Sequence, residues 1–254
     1  MAAESSSRPG LAGLIGALLP SAVAAAESTG SPASNPTELF PAEEAALRTA
    51  GPGRRAEFAA GRSCARAALA MLGVAAGPIL VGPAGQPLWP AGVTGSITHC
   101  VGYQACAVAR TTDLAAIGID AEPDAALPAG LIERIATGPE RAWISRHVST
   151  AALPSAALPA AAWAPAAPPP AARHGVCWDR LLFSAKEATC KLWYPLTGHW
   201  PGFRGVTVML ATTGTFTARL SPLGPAGGDG RVTRMTGRWR ASDGLIVTAI
   251  WAAG

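Results

Sequence analysis

Helical spacing of apolar residues predicts one long helix early in the chain. In the segment Arg54–Gly73 the side chains of Phe58, Cys64, Ala68 and Leu72 fall near one face, and the terminal glycine provides a stop. A proline followed closely by two glutamates at 41–44 predicts the start of a shorter helix. Further helices are predicted over Leu131–Ile135, Gly138–Ile144 and Trp178–Tyr194, the last stopped by Pro195.

Runs of β-branched and small apolar residues predict strands in both halves of the chain. They are Val93–Arg110, with a turn at Gly102-Tyr103, then Ala115–Ile119, Gly205–Leu210, Thr215–Leu220, Arg231–Ala241 and Leu245–Ala252. Helices mixed with antiparallel strands predict the α+β class. The segment Ser149–Ala172 has six prolines and no charge, so we expect a flexible, disordered surface insertion there. Ser221–Gly230 is expected to form a loop between strands.

The uncharged stretch Pro9–Ala26 superficially resembles a secretory signal. However, Glu4 lies in the region that should be basic, and Gly13, Gly16 and Pro20 interrupt the apolar run. A first strand or short helix of the domain explains the stretch as well, and we prefer that interpretation. No other segment approaches the ~20 apolar residues of a membrane span, so we expect a soluble, cytoplasmic protein.

Composition narrows the class of protein. The chain has 254 residues, of which 49% are hydrophobic and 14% charged, and this excludes disorder over its whole length. The length suits one large domain or two of roughly 100–130 residues. A net charge of +4 favours anionic partners such as nucleic acid, phosphorylated cofactors or acidic proteins. Five widely spaced cysteines without a C-x-x-C motif predict isolated thiols in a reducing compartment.

Two carboxylates end a predicted strand in the segment IGIDAEP. Asp120 and Glu122 are two residues apart, so their side chains point to the same side of the strand. Carboxylates on one face repel each other unless a cation lies between them, and Mg²⁺ is a natural occupant. The alternative is that two acids at a strand end are simply solvated, and on spacing alone that alternative is favoured.

The segment FSAKEATCK carries a second cluster of charge. Glu187 and Lys191 are four residues apart and share a helix face, which by itself indicates no more than a surface ion pair. However, Lys186 and Lys191 are the only lysines in a chain that otherwise uses arginine. Their proximity indicates a need for compact ammonium groups, which suit phosphate.

The segment 82–100 predicts a shaped Gly/Pro loop followed by a strand that bears Thr98 and His99. His99 is either a phosphate ligand or a core histidine, and on its own the core interpretation is preferred. The hypothesis that His99 and Cys100 form a nucleophilic pair has little support, because the side chains of neighbouring residues on a strand point to opposite faces. Arg55 and Arg62, with Arg54 beside them, lie on one predicted helix and either bind a phosphate or form a solvated stripe.

Taken in order, these segments resemble the 4′-phosphopantetheinyl transferases of the surfactin/enterobactin synthetase type, with the greatest likeness to the actinobacterial, mycobacterial-type branch. The matching segments are 39–47, 54–69, 86–100, 117–123, 178–197 and 237–250. The resemblance implies two similar α+β halves related by a pseudo-twofold axis, here 1–116 and 117–254. It implies Mg²⁺-dependent (or Mn²⁺-dependent) transfer of the phosphopantetheine arm of coenzyme A to a serine of an apo acyl or peptidyl carrier protein, which releases adenosine 3′,5′-bisphosphate.

The resemblance also implies roles for individual residues. Those matched to the catalytic centre are Asp120, Glu187 and Lys191. Those matched to the metal site are Asp120, Ala121, Glu122 and Glu187. Those matched to coenzyme A binding are Arg54, Arg62, Ala84, Gly85, Gln86, Pro87, Thr98, His99, Asp120, Lys186, Glu187, Lys191 and Trp200.

Two departures from the branch affect these expectations. Ala84, Gly85 and Gln86 occupy a loop that often carries a basic residue in this branch, and Cys190 stands where an aromatic is common. Because that basic residue is missing, one alternative is that the chain is a degenerate relative that binds coenzyme A without turnover. A basic nucleic-acid-binding protein is a distant alternative, since the arginines are scattered without interleaved aromatics. A monomer that binds neither nucleic acid nor membrane is expected.

Overall fold

The computed structural model describes residues 13–30, 38–147, 175–220 and 233–254. Groups of helices and groups of strands follow one another along the chain, in agreement with the predicted α+β class. Strands lie at β1 Ala24–Thr29, β2 Leu80–Val81, β3 Pro87–Leu88, β4 Val93–Cys100, β5 Tyr103–Arg110, β6 Leu114–Pro123, β7 Val206–Ala211, β8 Thr215–Leu220, β9 Thr233–Ser242 and β10 Leu245–Ala253. Helices lie at α1 Pro41–Glu44, α2 Pro52–Met71, α3 Leu131–Ile135, α4 Gly138–His147, α5 Trp178–Thr197 and α6 Gly202–Gly205.

The strands form two principal antiparallel sheets. The first has the order β1-β5-β4, the second has the order β6-β10-β9-β8-β7, and β2 and β3 form a separate small hairpin. Each principal sheet is covered on one face by a 20-residue helix, α2 on the first and α5 on the second. This arrangement of one sheet and one long helix in each half agrees with the expectation of two similar α+β halves.

Helix α2 follows the predicted apolar face. Phe58, Cys64 and Ala68 are buried, and the cluster around Cys64 and Ala68 packs against Cys106 and Val108 of β5. Pro52 starts the helix, where its missing N–H costs nothing, and the left-handed Gly73 follows its end. The N-terminal turn of α2 lies beside the end of β4, where Arg54 contacts His99.

Helix α5 extends further than predicted. Pro195 lies inside its last turn, and the helix ends at Gly198, which has a φ of 70° and donates its N–H to the Tyr194 carbonyl at 2.8 Å. The predicted stop at Pro195 is wrong, because a proline this close to the C-terminus removes only one backbone hydrogen bond. Glycine in the left-handed conformation then supplies the true stop.

Strand β6 joins the two halves. It pairs with β10 in the second sheet, and its backbone also reaches β4 of the first sheet through side-chain hydroxyls. Ser96 Oγ accepts the Ile119 N–H at 3.2 Å and Thr98 Oγ1 accepts the Ala121 N–H at 3.0 Å. Since β6 runs through positions 116 and 117, the predicted division into halves falls within a strand that contacts both; that division remains a prediction.

The N-terminal stretch forms part of the fold. The stretch after Gly13 contains a 3₁₀ turn at Gly16–Leu18 and then β1, so it contributes elements to the domain. The segments Ser149–Ala172 and Ser221–Gly230 lie outside the described residues. Across the part of the chain that the structure describes, no helix is both long and apolar enough to cross a membrane.

Candidate active site

A close approach of α5 to β6 creates the site. Asp120 and Glu122 lie on the β6 face that contacts α5, in the same row as Gly118. A Cβ at Gly118 would overlap the carbonyl oxygen of Ala188, so only glycine lets the helix backbone come this near. The approach brings Lys191 within 2.7 Å of Asp120.

Asp120 is the most buried carboxylate of this group, with 4% of its surface exposed. Its Oδ1 accepts from Lys191 Nζ at 2.7 Å and from Thr98 Oγ1 at 3.3 Å. Its Oδ2 is buried and has no hydrogen-bond partner among the described residues. An unpartnered buried carboxylate oxygen is costly, so this atom marks a position where a cation or donor would be stabilised.

Two further carboxylates raise the local negative charge. Burial, and then the Asp120 charge, raise the pKa of Glu122 from its ordinary 4.5 to about 7, although Arg180 opposes the shift at 2.9 Å. Burial also raises the pKa of Glu187, with Asp120 adding to the shift and Lys191 opposing it. Burial lowers the pKa of Lys191, but the Asp120 and Glu187 carboxylates outweigh it and raise that pKa. Three carboxylates are thus offset within the site by two cationic side chains, Lys191 and Arg180.

This donor set fits a hard divalent cation. All the side-chain donors are oxygens, one of them is a buried atom without a partner, and two carboxyl groups are destabilised in their charged form. Within the described ranges, no three His, Cys, Asp or Glu side chains are already assembled as a metal centre. Instead Lys191 holds Asp120, and Arg180 holds Glu122.

Strand alternation separates Thr98 from His99. Thr98 is 2% exposed, and its hydroxyl contacts Asp120 and the Ala121 N–H. His99 faces solvent on β4, where Arg54 Nη1 donates to its Nε2 at 3.1 Å. Partial desolvation of the ring by the surrounding protein lowers the pKa of His99, although the residue reaches the surface; Arg54 and Lys191 add to this effect and Glu57 opposes it. His99 and Arg54 form an accessible pair, whereas the Thr98 side chain belongs to the carboxylate cluster.

Lys186 does not face the carboxylates with Lys191. It is 0% exposed, and its Nζ donates to the carbonyls of Ile135, Phe203 and Val206 at 2.9, 2.8 and 2.7 Å and lies 2.9 Å from Glu140 Oε2. The expectation that both lysines face a pyrophosphate disagrees with this geometry. Five residues of helix turn the two side chains about 140° apart, so they cannot share a face.

Arg62 is also placed away from solvent. Its side chain is buried, its Nε donates to the Ile79 carbonyl at 2.8 Å, and its guanidinium lies 4.1 Å from the centre of the Phe58 ring. Burial lowers the pKa of Arg62 to about 10, with Glu43 opposing the shift. In this conformation the guanidinium supports the hairpin and α2, and the structure does not bring it together with the accessible Arg54–His99 pair.

The remaining predicted residues lie at the periphery. Ala84, Gly85, Gln86 and Pro87 form the end of the β2–β3 hairpin, where Gln86 Oε1 accepts the Ala84 N–H at 3.0 Å. Trp200 follows α5 and is 46% exposed. Ala121 is fully buried, and its N–H is used by Thr98. None of these placements tests the roles that the resemblance implies, which remain predictions.

Sequence reasoning missed Arg180 and Glu140. Arg180 lies in the first turn of α5, about two turns before Glu187, and that spacing is the only sequence signal that places it near the carboxylates. Glu140 is 4% exposed and accepts from the Val208 N–H at 2.7 Å as well as pairing with Lys186. Nothing in the sequence around Glu140 indicates that burial.

Known families cover both halves of the chain. Residues 42–109 match the 4′-phosphopantetheinyl transferase N-terminal domain, and residues 116–230 match the 4′-phosphopantetheinyl transferase superfamily. The 4′-phosphopantetheinyl transferase Svp of Streptomyces mobaraensis is 45% identical over 94% of this chain and 89% of its own. PptT of Mycobacterium tuberculosis is 39% identical over 78% of each chain, and Npt of Nocardia iowensis is 37% identical over 93% of this chain and 99% of its own.

Proposed function

Because the chain belongs to the 4′-phosphopantetheinyl transferase superfamily, as its motifs predicted, we propose that it transfers the phosphopantetheine arm of coenzyme A to a serine of an apo carrier protein in a Mg²⁺-dependent reaction. Adenosine 3′,5′-bisphosphate is the second product. The observation that carries the proposal is the buried Asp120 carboxylate at the junction of β6 and α5. Its Oδ1 is held by Lys191 at 2.7 Å, and its Oδ2 has no hydrogen-bond partner among the described residues. Glu122 lies on the same strand face, and Glu187 lies one helical turn before Lys191.

Asp120, Glu122 and Glu187 would hold the Mg²⁺ ion, with Mn²⁺ as a substitute. The unpartnered Oδ2 of Asp120 supports this assignment, because a hard cation would satisfy it. When bound, the ion polarises the pyrophosphate of coenzyme A and offsets its charge. The raised pKa values of Glu122 and Glu187 are consistent with the same assignment, since burial destabilises their charged forms and a bound cation would offset that cost.

The remaining chemistry belongs to side chains of this protein. The serine Oγ bonds to the phosphorus that carries pantetheine while the bond from that phosphorus to the bridging oxygen breaks. The bridging oxygen leaves on adenosine 3′,5′-bisphosphate, and Lys191 stabilises its negative charge. Glu187 accepts the serine proton, directly or through a water that it orients.

Arg54 and His99 are proposed to bind the outer phosphate of coenzyme A. Both are accessible and already within 3.1 Å of each other, so an anion could bridge them. A charged guanidinium beside a neutral imidazole N–H offers donors suited to phosphate. The buried positions of Arg62 and Lys186 give no comparable support for direct phosphate contacts.

The proposed partners are acyl and peptidyl carrier proteins, whose acidic recognition helices suit a chain of net charge +4. The protein is also proposed to be a cytoplasmic monomer that binds no nucleic acid.

Intact-mass spectrometry of an apo carrier protein tests the reaction. The carrier is incubated with the protein, coenzyme A and Mg²⁺, with an EDTA control and the D120N variant. A mass gain of one phosphopantetheine arm is expected, and EDTA or D120N should abolish it. Coenzyme A binding without a mass gain on several carriers would instead identify a relative that binds the co-substrate without turnover.

A further inference from the structure

Arg180 donates a hydrogen bond from each of the three nitrogens of its guanidinium at the start of α5. Its Nη1 donates to Glu122 Oε2, its Nε to the Ala125 carbonyl and its Nη2 to the Ala126 carbonyl, each at 2.9 Å. The side chain is 16% exposed; its bond to Glu122 is partly buried, whereas its bonds to the two carbonyls lie at the surface. One arginine therefore joins a carboxylate of β6 to the loop that follows β6.

Two further hydrogen bonds join the loop after β6 to the start of α5, one donated from each side. Asp179 accepts the Leu127 N–H at 2.9 Å, and Asp124 accepts the Cys177 N–H at 2.9 Å. The loop after β6 and the first turn of α5 thus exchange hydrogen bonds across more than fifty residues of sequence. Arg180 is the member of this junction that contacts a carboxylate of the catalytic site.

We propose that Arg180 is a positioning residue for the divalent cation site. It holds Glu122 through Oε2 alone, and no hydrogen bond from a described residue reaches Oε1, which is left for a cation. It also fixes the end of β6 to the helix that carries Glu187, so the three carboxylates keep their relative positions. This inference rests on the proposed function, because it assumes that these carboxylates bind the ion.

Arginine suits this role better than lysine. Its planar fork sends three donors in fixed directions, whereas a lysine ammonium at the same place would reach one or two of the acceptors. Hydrogen-bond partners that orient metal ligands typically affect metal affinity or activity by roughly 10–100-fold. R180K keeps the charge and removes the fork, so it separates orientation from electrostatics.

The test compares R180K and R180Q with the wild type and with R204K in the full chain. Arg204 is a matched control, because its guanidinium also donates to two backbone carbonyls, those of Glu133 and Arg134, but contacts none of the site carboxylates. Mn²⁺ is titrated into each protein, and the free ion is followed by electron paramagnetic resonance. R180K is expected to weaken Mn²⁺ binding by about 10-fold or more, and R204K by less than ~2-fold.

A second readout excludes a purely structural role. The transfer rate of R180K should recover toward that of the wild type as Mg²⁺ is raised, since weakened affinity is overcome by concentration. Mn²⁺ affinity of R180K within ~2-fold of the wild type would overturn the proposal, as would loss of the fold in both R180K and R180Q. Wild-type protein that binds Mn²⁺ but transfers no phosphopantetheine would refute the proposed function and leave this inference standing.

Discussion

Replacing Lys186 by methionine should destabilise the fold without removing a group from the catalytic site. Methionine is similar in length but provides neither charge nor donors. The variant leaves Glu140, which is 4% exposed, without its cation, so that only the backbone N–H groups of Thr137 and Val208 still donate to it, and it deprives three carbonyls of a donor. Removing one partner of a buried ion pair typically costs about 3–5 kcal/mol.

That cost is measurable by urea unfolding followed by circular dichroism. In a chain of this size it corresponds to a fall in Tm of roughly 6–20 °C. K191M is the matched control on the same helix: Lys191 is 26% exposed, so we expect a smaller loss of stability and a larger loss of kcat.

The opposite pattern would refute the reasoning. Suppose that the free energy of unfolding of K186M lay within ~1 kcal/mol of the wild-type value, while its kcat at saturating coenzyme A fell more than tenfold. Lys186 would then act on the substrate. The buried geometry would then not represent the working enzyme. Equal effects of K186M and K191M on both quantities would also contradict the separation of their roles.

Three further changes test other parts of the site. Because the Thr98 hydroxyl orients Asp120, T98V should lower kcat about 10-fold, equally with coenzyme A and with dephospho-coenzyme A as the substrate. T98S keeps the hydroxyl and should restore kcat. A defect seen only with coenzyme A would instead show that Thr98 contacts the 3′-phosphate. The pKa of Glu122 is raised from 4.5 to about 7, so in the metal-free protein its protonated form stabilises the fold. The contribution of Glu122 to the free energy of unfolding should therefore be fully present below pH 4.5 and be lost as the pH rises through 7. Chemical unfolding at several pH values should show a weaker decline in E122Q, and an unchanged decline would assign it to other groups. G118A should cost about 1–3 kcal/mol by forcing α5 away from β6, and a urea midpoint equal to that of the wild type would show that the junction can relax.

Local sequence signals predicted most of the secondary structure. β8 occupies the predicted residues Thr215–Leu220, and α2 lies within two residues of its prediction at each end. These signals are local, since apolar periodicity and terminal glycines act within a few residues of the backbone that they shape. The end of α5 differs because a weak stop at Pro195 is followed by a stronger one at Gly198.

The site was predictable only in part. The spacing of Asp120 and Glu122 fixes their common face, and the i, i+4 spacing of Glu187 and Lys191 fixes theirs. Which helix face meets β6 is a property of packing, and the close contact at Gly118 decides it. The pairing of Arg180 with Glu122 joins residues 58 positions apart, so no local pattern could indicate it.

The scarcity of lysine still identified two positions with a shared physical demand. At Lys186 a compact ammonium lies among three carbonyls and a carboxylate from different directions, and a flat guanidinium fork cannot match that arrangement. At Lys191 the same compact group fits between Asp120 and the Ile119 carbonyl, next to the place where the leaving phosphate is proposed to lie. Rarity therefore indicates where an ammonium is required, while burial decides whether its acceptors belong to the fold or to a substrate.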